Sequence, residues 1–529
     1  MLSAARFCVA QTTSPYEPLL KSLSWRNIGP AIMGGRIDDF AVVENNPSIV
    51  YVGTAAGGVF KSVNRGTTWE SVFDNQTVSS IGDVTVAPSD PNVVWVGTGE
   101  ANNRQSSSWG DGVYKSTDAG KTWTHMGLEN THHIGRIVID PRDPNVVCVA
   151  AGGDLWGPSK DRGLYRTTDG GKTWTKTLFI NEDTGCSDLV TDLTNPDIIY
   201  TSAYQRRRSA FGFNGGGPGS GIYKSTDGGA TWKKCTNGLP TGDTGRIGLD
   251  IYRKDSNIVY ACVENANGGV FRSEDKGETW KKMGTVSMSI NAYRPCYFSQ
   301  IRVDPKDDQH IWMAAVNMGV STDGGKTFRP VGPAIHADVH AIWIDPNNPS
   351  QALVGCDGGI QWTYDSGRTW DYMNVLALAQ FYEVHYDMRK PYWVYGGLQD
   401  NGSWACPSST LTFRGPTNDE WINVGGGDGF YVQADPVDDK TIYSESQQGA
   451  VARLNVTTGE RKSIRPRPEP GEQPYRFDWN TPILISMHDH NKIFVAGNRL
   501  FISTDRGDSW RRTDDLTTNI DRTKLPIMG

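Results

Sequence analysis

Three glycine-rich stretches of this 529-residue chain carry side chains suited to holding a ligand. "GTGEANNRQSSSWGDG" (97–112) contains Glu100, Arg104 and Trp109; "GGDLWGPSKDRG" (152–163) contains Asp154 and Trp156; "SAYQRRRSAFGFNGGGPGSG" (202–221) contains Tyr204, Arg206 and Arg207. Indoles and phenols offer flat apolar faces, while carboxylates and guanidinium groups fix polar atoms at set distances, a mixture suited to a sugar or peptide cleft. The competing reading is that these aromatics pack inside their own loops. The arginine run could grip carboxylates or sulfates through guanidinium forks. "GLQDNGSW" (397–404) adds Gln399 and Asp400, and "GGGDGF" (425–430) adds Asp428. Glu100, Asp400 and Asp428 are the candidate carboxylates for acid–base chemistry. In "IHADVHAIWIDP" (335–346), His336, Asp338 and His340 alternate, so a strand would put them on one side, where they could hold a divalent metal. No organic cofactor is expected.

Another set of acidic residues recurs too regularly for chemistry. The pattern Ser/Thr-x-Asp-x-Gly-x-Thr/Ser-aromatic ends at Trp69, Trp123, Trp174, Trp232, Trp280, Phe328, Trp370 and Trp510, mostly at a spacing of about 50 residues, with Asn64 in place of Asp in the first copy. A carboxylate such as Asp169 can accept hydrogen bonds from its own turn, and Gly171 supplies a positive φ. The repeated aspartates are therefore expected to fasten turns and not to catalyse.

These features need elements to position them. Around each box the chain writes four short strand-like runs, and the second runs centre on Tyr51, Trp95, Cys148, Tyr200, Tyr260, Trp312, Leu353, Tyr395, Tyr443 and Phe494. Ten units of four antiparallel strands, arranged radially, make an all-β propeller. Two architectures fit: a single ten-bladed ring, or a seven-bladed ring followed by the first three blades of a second, incomplete one. The loss of the box just after Trp370 favours seven plus three. The divisions are then a leader over 1–21, a ring over 22–376 and three further blades over 377–529. "SLSWRNIG" (22–29) is expected to complete the last blade of the first ring, and "RTWDYMN" (368–374) to open the second. In such blades the boxes and the ligand stretches lie at opposite ends.

Composition agrees with many short strands: Gly 60, Trp 18 and Tyr 20, with 37% hydrophobic residues. A net charge of −7 argues against a nucleic-acid backbone as partner. No apolar run reaches the roughly 18 residues of a membrane span. The start, "MLSAARFCVAQ", reads as a possible remnant of a secretion signal, placing the protein outside the cell or in the periplasm. The eight cysteines show neither a CxxC pair nor metal spacing, so a disulfide framework is not expected.

The repeat resembles the Asp-box of sialidase-like propellers. The phrases "WRNIGP" (25–30), "GTGEANNR" (97–104), "FNGGGPGSGIYKSTDGG" (213–229), "GLQDNGSW" and "GGGDGF" resemble a bacterial family of large Asp-box propellers described as sortilin-like or BNR-repeat glycosyl-hydrolase-like. The resemblance implies a glycan, peptide or protein ligand, and it leaves the oligomeric state open. Sialidases carry a Phe/Tyr-Arg-Ile-Pro motif; the strings "FRGP" (413–416) and "FRPV" (328–331) do not match it. The chain is also distantly similar to two-propeller endoglucanases that cleave xyloglucan, which place one catalytic carboxylate on each propeller. Their first-ring aspartate corresponds to Ala55 in "GTAAGGVF" (53–60), and a methyl group cannot act as a base. The resemblance therefore implies an extended-ligand binder. A hydrolase using other carboxylates and a sortilin-like interaction scaffold are the alternatives.

Overall fold

The computed structural model describes residues 16–20, 23, 26–102, 107–209, 212–286, 296–331, 334–518 and 521. It contains ten four-stranded antiparallel sheets, each with its strands hydrogen-bonded in chain order. They are numbered 1–10 here by their opening strands: Ile37–Val42, Ile81–Ala87, Ile134–Ile139, Thr184–Thr191, Thr244–Ile251, Ile301–Asp304, Val339–Ile344, Phe381–Tyr386, Gly429–Ala434 and Ile483–Ile485. Sheet 4 carries a small two-stranded ribbon, Arg207–Ser209 with Gly212–Asn214, between its second and third strands.

The second strands are short β-branched and aromatic runs, and several are buried along their whole length, as in Val50–Thr54, Val147–Ala151 and Ala352–Cys356. Such runs suit strands covered on both faces. The core lies between consecutive sheets: Trp95 and Val113 of sheet 2 pack with Ile134, Ile137 and Val149 of sheet 3. The same packing joins sheet 7 to sheet 1, where Ala341, Leu353 and Trp362 meet Ile37, Phe40 and Val52. Sheets 8, 9 and 10 pack in succession, Tyr395 against Val432 and Tyr443 against Ile493.

The Asp-boxes are turn fasteners. Asp169 accepts bonds from the Thr173 N–H at 3.0 Å, the Thr173 hydroxyl at 2.7 Å and the Thr167 hydroxyl at 2.7 Å, and the Thr167 oxygen accepts the Gly171 N–H at 3.0 Å. In several boxes the tryptophan then ties its sheet to the preceding one: Trp174 donates to Met126 O at 2.8 Å and Trp123 to Val72 O at 2.7 Å. Gly171 is required twice over. Its φ is +92°, and a Cβ there would come within 2.5 Å of the Trp95 ring in the second strand of sheet 2. A second tie runs along the opening strands, where an acid accepts the next sheet's backbone N–H: Asp83 from Ile137 at 3.0 Å, Asp188 from Leu249 at 2.9 Å and Asp250 from Val303 at 2.7 Å.

Two local expectations are corrected. The fourth strand of sheet 7 is Asp371–Tyr372, paired with Gln361 and Trp362, so 368–374 finishes that sheet and does not open the next. The described part of 22–29 runs instead to sheet 8: Trp421 donates to Ile28 O at 2.8 Å, and Arg26 bonds the Ser408 carbonyl. The reason is local. The box of sheet 7 supplies its own fourth strand, as the other boxes do, so that place is already filled.

Candidate functional site

Strand order decides which residues can meet. Box turns join third to fourth strands. Arg36 precedes an opening strand, Glu100 and Asp400 follow second strands, and Asp357 sits in the turn between Ala352–Cys356 and Gly359–Thr363. All four therefore lie at the sheet ends opposite the boxes, and so do the loops of Trp109 and Trp156.

Arg36 is the hub. Its Nε and Nη2 donate to Asp357 Oδ1 and Oδ2 at 2.9 and 3.2 Å, its Nη1 to Glu100 Oε1 at 3.2 Å, and Nη2 stands 3.5 Å from Asp400 Oδ2. His340 Nε2 lies 2.6 Å from Asp357 Oδ1. Sheets 1, 2, 7 and 8 thus each contribute a charge to one buried cluster. Burial opposes the charge on Asp357, but Arg36 and His340 hold its carboxyl well below the usual range. Asp38 behaves oppositely. Burial first, then Glu100, pushes it well up, and its Oδ2 has no hydrogen-bond partner while Oδ1 accepts from Asn102 at 3.1 Å. Two carboxyls with environments of opposite sign therefore flank the same arginine.

The other candidate residues divide. Asp400 N donates to Asp428 Oδ1 at 2.6 Å, and Trp479 Nε1 to Asp428 Oδ2 at 3.0 Å, so both oxygens of Asp428 are engaged. Gln399 is buried, with its N–H bonded to Gln380 O at 2.9 Å, and Asn401 reaches Asp357 O at 3.0 Å. Trp109 and Trp156 are 59% and 44% exposed. Each is steadied from one side: Trp109 against His132 and Trp156 under the Arg208 guanidinium. Asp154 accepts the Trp156 N–H at 2.8 Å and so shapes its own loop. Tyr204 is buried beneath Arg206, and Arg207 pairs with Asp183. Arg104 lies outside the described residues.

The alternation drawn for His336, Asp338 and His340 does not arise. The strand begins at Val339, Asp338 has a φ of +64°, and His336 bonds the carbonyls of Ala337 and Asp400. The oxygens that gather with Asp338 belong to Asp357 and Asp400, all within 4.8 Å of one another. Arg36 already brings a positive charge to Asp357 and Asp400, which works against a cation there.

Sequence reasoning passed over Arg36 and Asp357, and weighed Asp38 only as a substitute for the base missing at Ala55. A signal existed: Gly-Arg-Ile opens sheets 1, 3 and 5 at Arg36, Arg136 and Arg246. All three guanidinium groups serve polar clusters, Arg36 with Asp357 and Glu100, Arg136 with Asp39 and Asp83, and Arg246 with Asn102.

Fold and boxes together define an Asp-box β-propeller. The BNR/Asp-box repeat model matches residues 165–176. The chain is distantly similar to xyloglucanases: 24% identical over 256 residues to one from Paenibacillus sp, covering 44% of this chain and 23% of that protein. It is 25% identical over 356 residues to a xyloglucanase of Acetivibrio thermocellus, covering 61% and 40%. These matches span less than half the length of either enzyme. Among solved structures, the GH74 xyloglucanase from Xanthomonas campestris aligns with a TM-score of 0.56 at 16% identity over 93% of this chain and 81% of that one. Among the described residues no helix is long and apolar enough to cross a membrane.

Proposed function

We propose that this chain is an extracellular or periplasmic propeller that binds an extended glycan across the loop ends where sheet 8 meets sheets 1 and 7. The observation that carries this reading is the convergence of Asp400 on Arg36 and Asp357, with the exposed indoles of Trp109 and Trp156 on loops at the same sheet ends. Aromatic faces stack on sugar rings, and a pre-ordered polar cluster fixes hydroxyl groups without further ordering cost. The distant xyloglucanase relatives point to a β-glucan backbone as the first ligand to try. We further propose the division 22–376 and 377–529, with the ring closed by the contact of sheet 7 on sheet 1.

Binding fits the carboxylates better than hydrolysis does. A glycosidase needs an accessible acid and an accessible base. Glu100 is 2% exposed and held by Arg36, Asp428 has both oxygens bonded, and Ala55 offers only its N–H, to Arg36 O at 3.2 Å. The test is calorimetric titration with xyloglucan oligosaccharides alongside reducing-sugar release. Binding without turnover is expected, weakened roughly tenfold by Trp109→Ala or Trp156→Ala. Robust turnover abolished by Glu100→Gln or Asp400→Asn would establish the hydrolase instead, and failure of any glycan to bind would end the reading.

A further inference from the structure

Arg206 follows the second strand of sheet 4, Ile199–Gln205, and is 5% exposed. Its Nη1 reaches Ala101 O at a long 3.5 Å, while Nε and Nη2 have no hydrogen-bond partner. Among the described residues no carboxylate forms an ion pair with it. The contrast with other buried arginines is informative. Arg36 has Asp357 and Glu100, and Arg136 has Asp39, Asp83 and Asp188. A buried cation is costly to leave unpaired.

The two free groups are also a matched pair. Nε–H and Nη2–H lie along one edge of a guanidinium, the edge with which Arg36 grips both oxygens of Asp357. Burial pulls Arg206 down to about 9; Tyr204 opposes it, and the neighbouring Arg246 and Arg162 add to it. Beside it His133, buried and next to Arg206, is held neutral, at about 3. Ala101, whose carbonyl the guanidinium reaches, follows Glu100 directly and lines a small polar cavity with Asn102, Arg246 and Tyr297; Arg206 itself does not line it, and its Nε and Nη2 are closed to solvent, so an incoming group reaches that edge only by displacing its neighbours.

We propose that Arg206 receives an anionic group of the ligand, a uronate carboxylate or a sulfate ester, through the Nε and Nη2 edge. This rests on the glycan reading for the nature of the ligand but is testable apart from it.

The chain is titrated with sodium sulfate, sodium glucuronate and neutral methyl glucoside at constant ionic strength, and thermal midpoints are recorded. Either anion at millimolar concentration should raise the midpoint by several degrees, and the glucoside should not. The two anion arms separate sulfate from carboxylate recognition. Arg206→Gln should remove the shift and Arg206→Lys should keep part of it. Arg206→Met should be at least as stable as the native chain in anion-free buffer, because an unpaired buried charge is gone. The proposal is overturned by no anion shift in the native chain, by an equal shift in Arg206→Gln, or by loss of folding in both the Gln and Met variants, which would make Arg206 a structural residue. Neutral oligosaccharide binding without any anion effect removes this proposal and leaves the glycan reading standing; an Arg206-dependent anion shift with no oligosaccharide binding does the reverse.

Discussion

Among single residues, Glu445 carries a consequence that no motif announces. It lies in the second strand of sheet 9, 1% exposed, with Oε1 accepting the N–H groups of Thr481 and Gly449 at 3.1 and 3.3 Å and Oε2 without a partner. Burial raises its pKa to about 8 from an ordinary 4.5. The folded chain therefore keeps this proton over a range where the unfolded chain has lost it. The resulting stability is complete below about pH 4.5 and lost as pH rises through about 8. Glu445→Gln, neutral in both states, should match the native chain near pH 4. It should then gain on it with rising pH, by on the order of 1–3 kcal/mol at pH 8. Urea midpoints across that range check this, and a gap that does not widen with pH would refute it. Asp357, whose pKa is depressed, has the opposite sign: its contribution is present at neutral pH and lost on acidification.

At the scale of the element, the box is a hydrogen-bonded turn whose aromatic side chain is a strap between sheets. Asp227 repeats the pattern of Asp169, accepting the Thr231 N–H at 2.9 Å and the Thr231 hydroxyl at 2.6 Å. Asp227→Ala should cost about 1 kcal/mol, the usual cost of losing a capping side chain, and should leave glycan binding unchanged because the box sits at the far end of the sheet. Denaturant titration beside calorimetry decides it; loss of binding in a folded variant would return the boxes to the list of functional residues. Boxes and strands were legible in the sequence because each is written within about a dozen consecutive residues, where turn chemistry and side-chain alternation act locally. The fourth strand of sheet 7 was misassigned because a two-residue strand carries no alternation to read.

For the whole molecule, Arg36 is the joint. It ties sheet 1 to Glu100 of sheet 2, Asp357 of sheet 7 and Asp400 of sheet 8. Removing one partner of a buried ion network leaves the others uncompensated. Arg36→Ala should therefore destabilise the chain by about 3–5 kcal/mol, with Arg36→Lys between the two because an ammonium cannot span both oxygens of Asp357. Chemical unfolding of the three proteins is the measurement, and an Arg36→Ala midpoint equal to the native one would show that the hydrophobic contact of sheet 7 on sheet 1 holds the joint unaided.

The sequence by itself determined the ten four-stranded sheets, the boxes and their mechanical role, and the end of each sheet at which the long loops lie, since all of these follow from local turn chemistry and from antiparallel connection. Only the tertiary structure decided which charges meet. Arg36, Glu100, Asp357 and Asp400 stand far apart in the chain, and nothing within any one repeat says that three other sheets will bring their carboxylates within 3.5 Å of Arg36. It likewise decided that Arg207 of the arginine run is paired off while Arg206, its neighbour, is buried with one edge free. Burial and pairing are properties of what surrounds a side chain, and in a radial fold those surroundings come from other repeats.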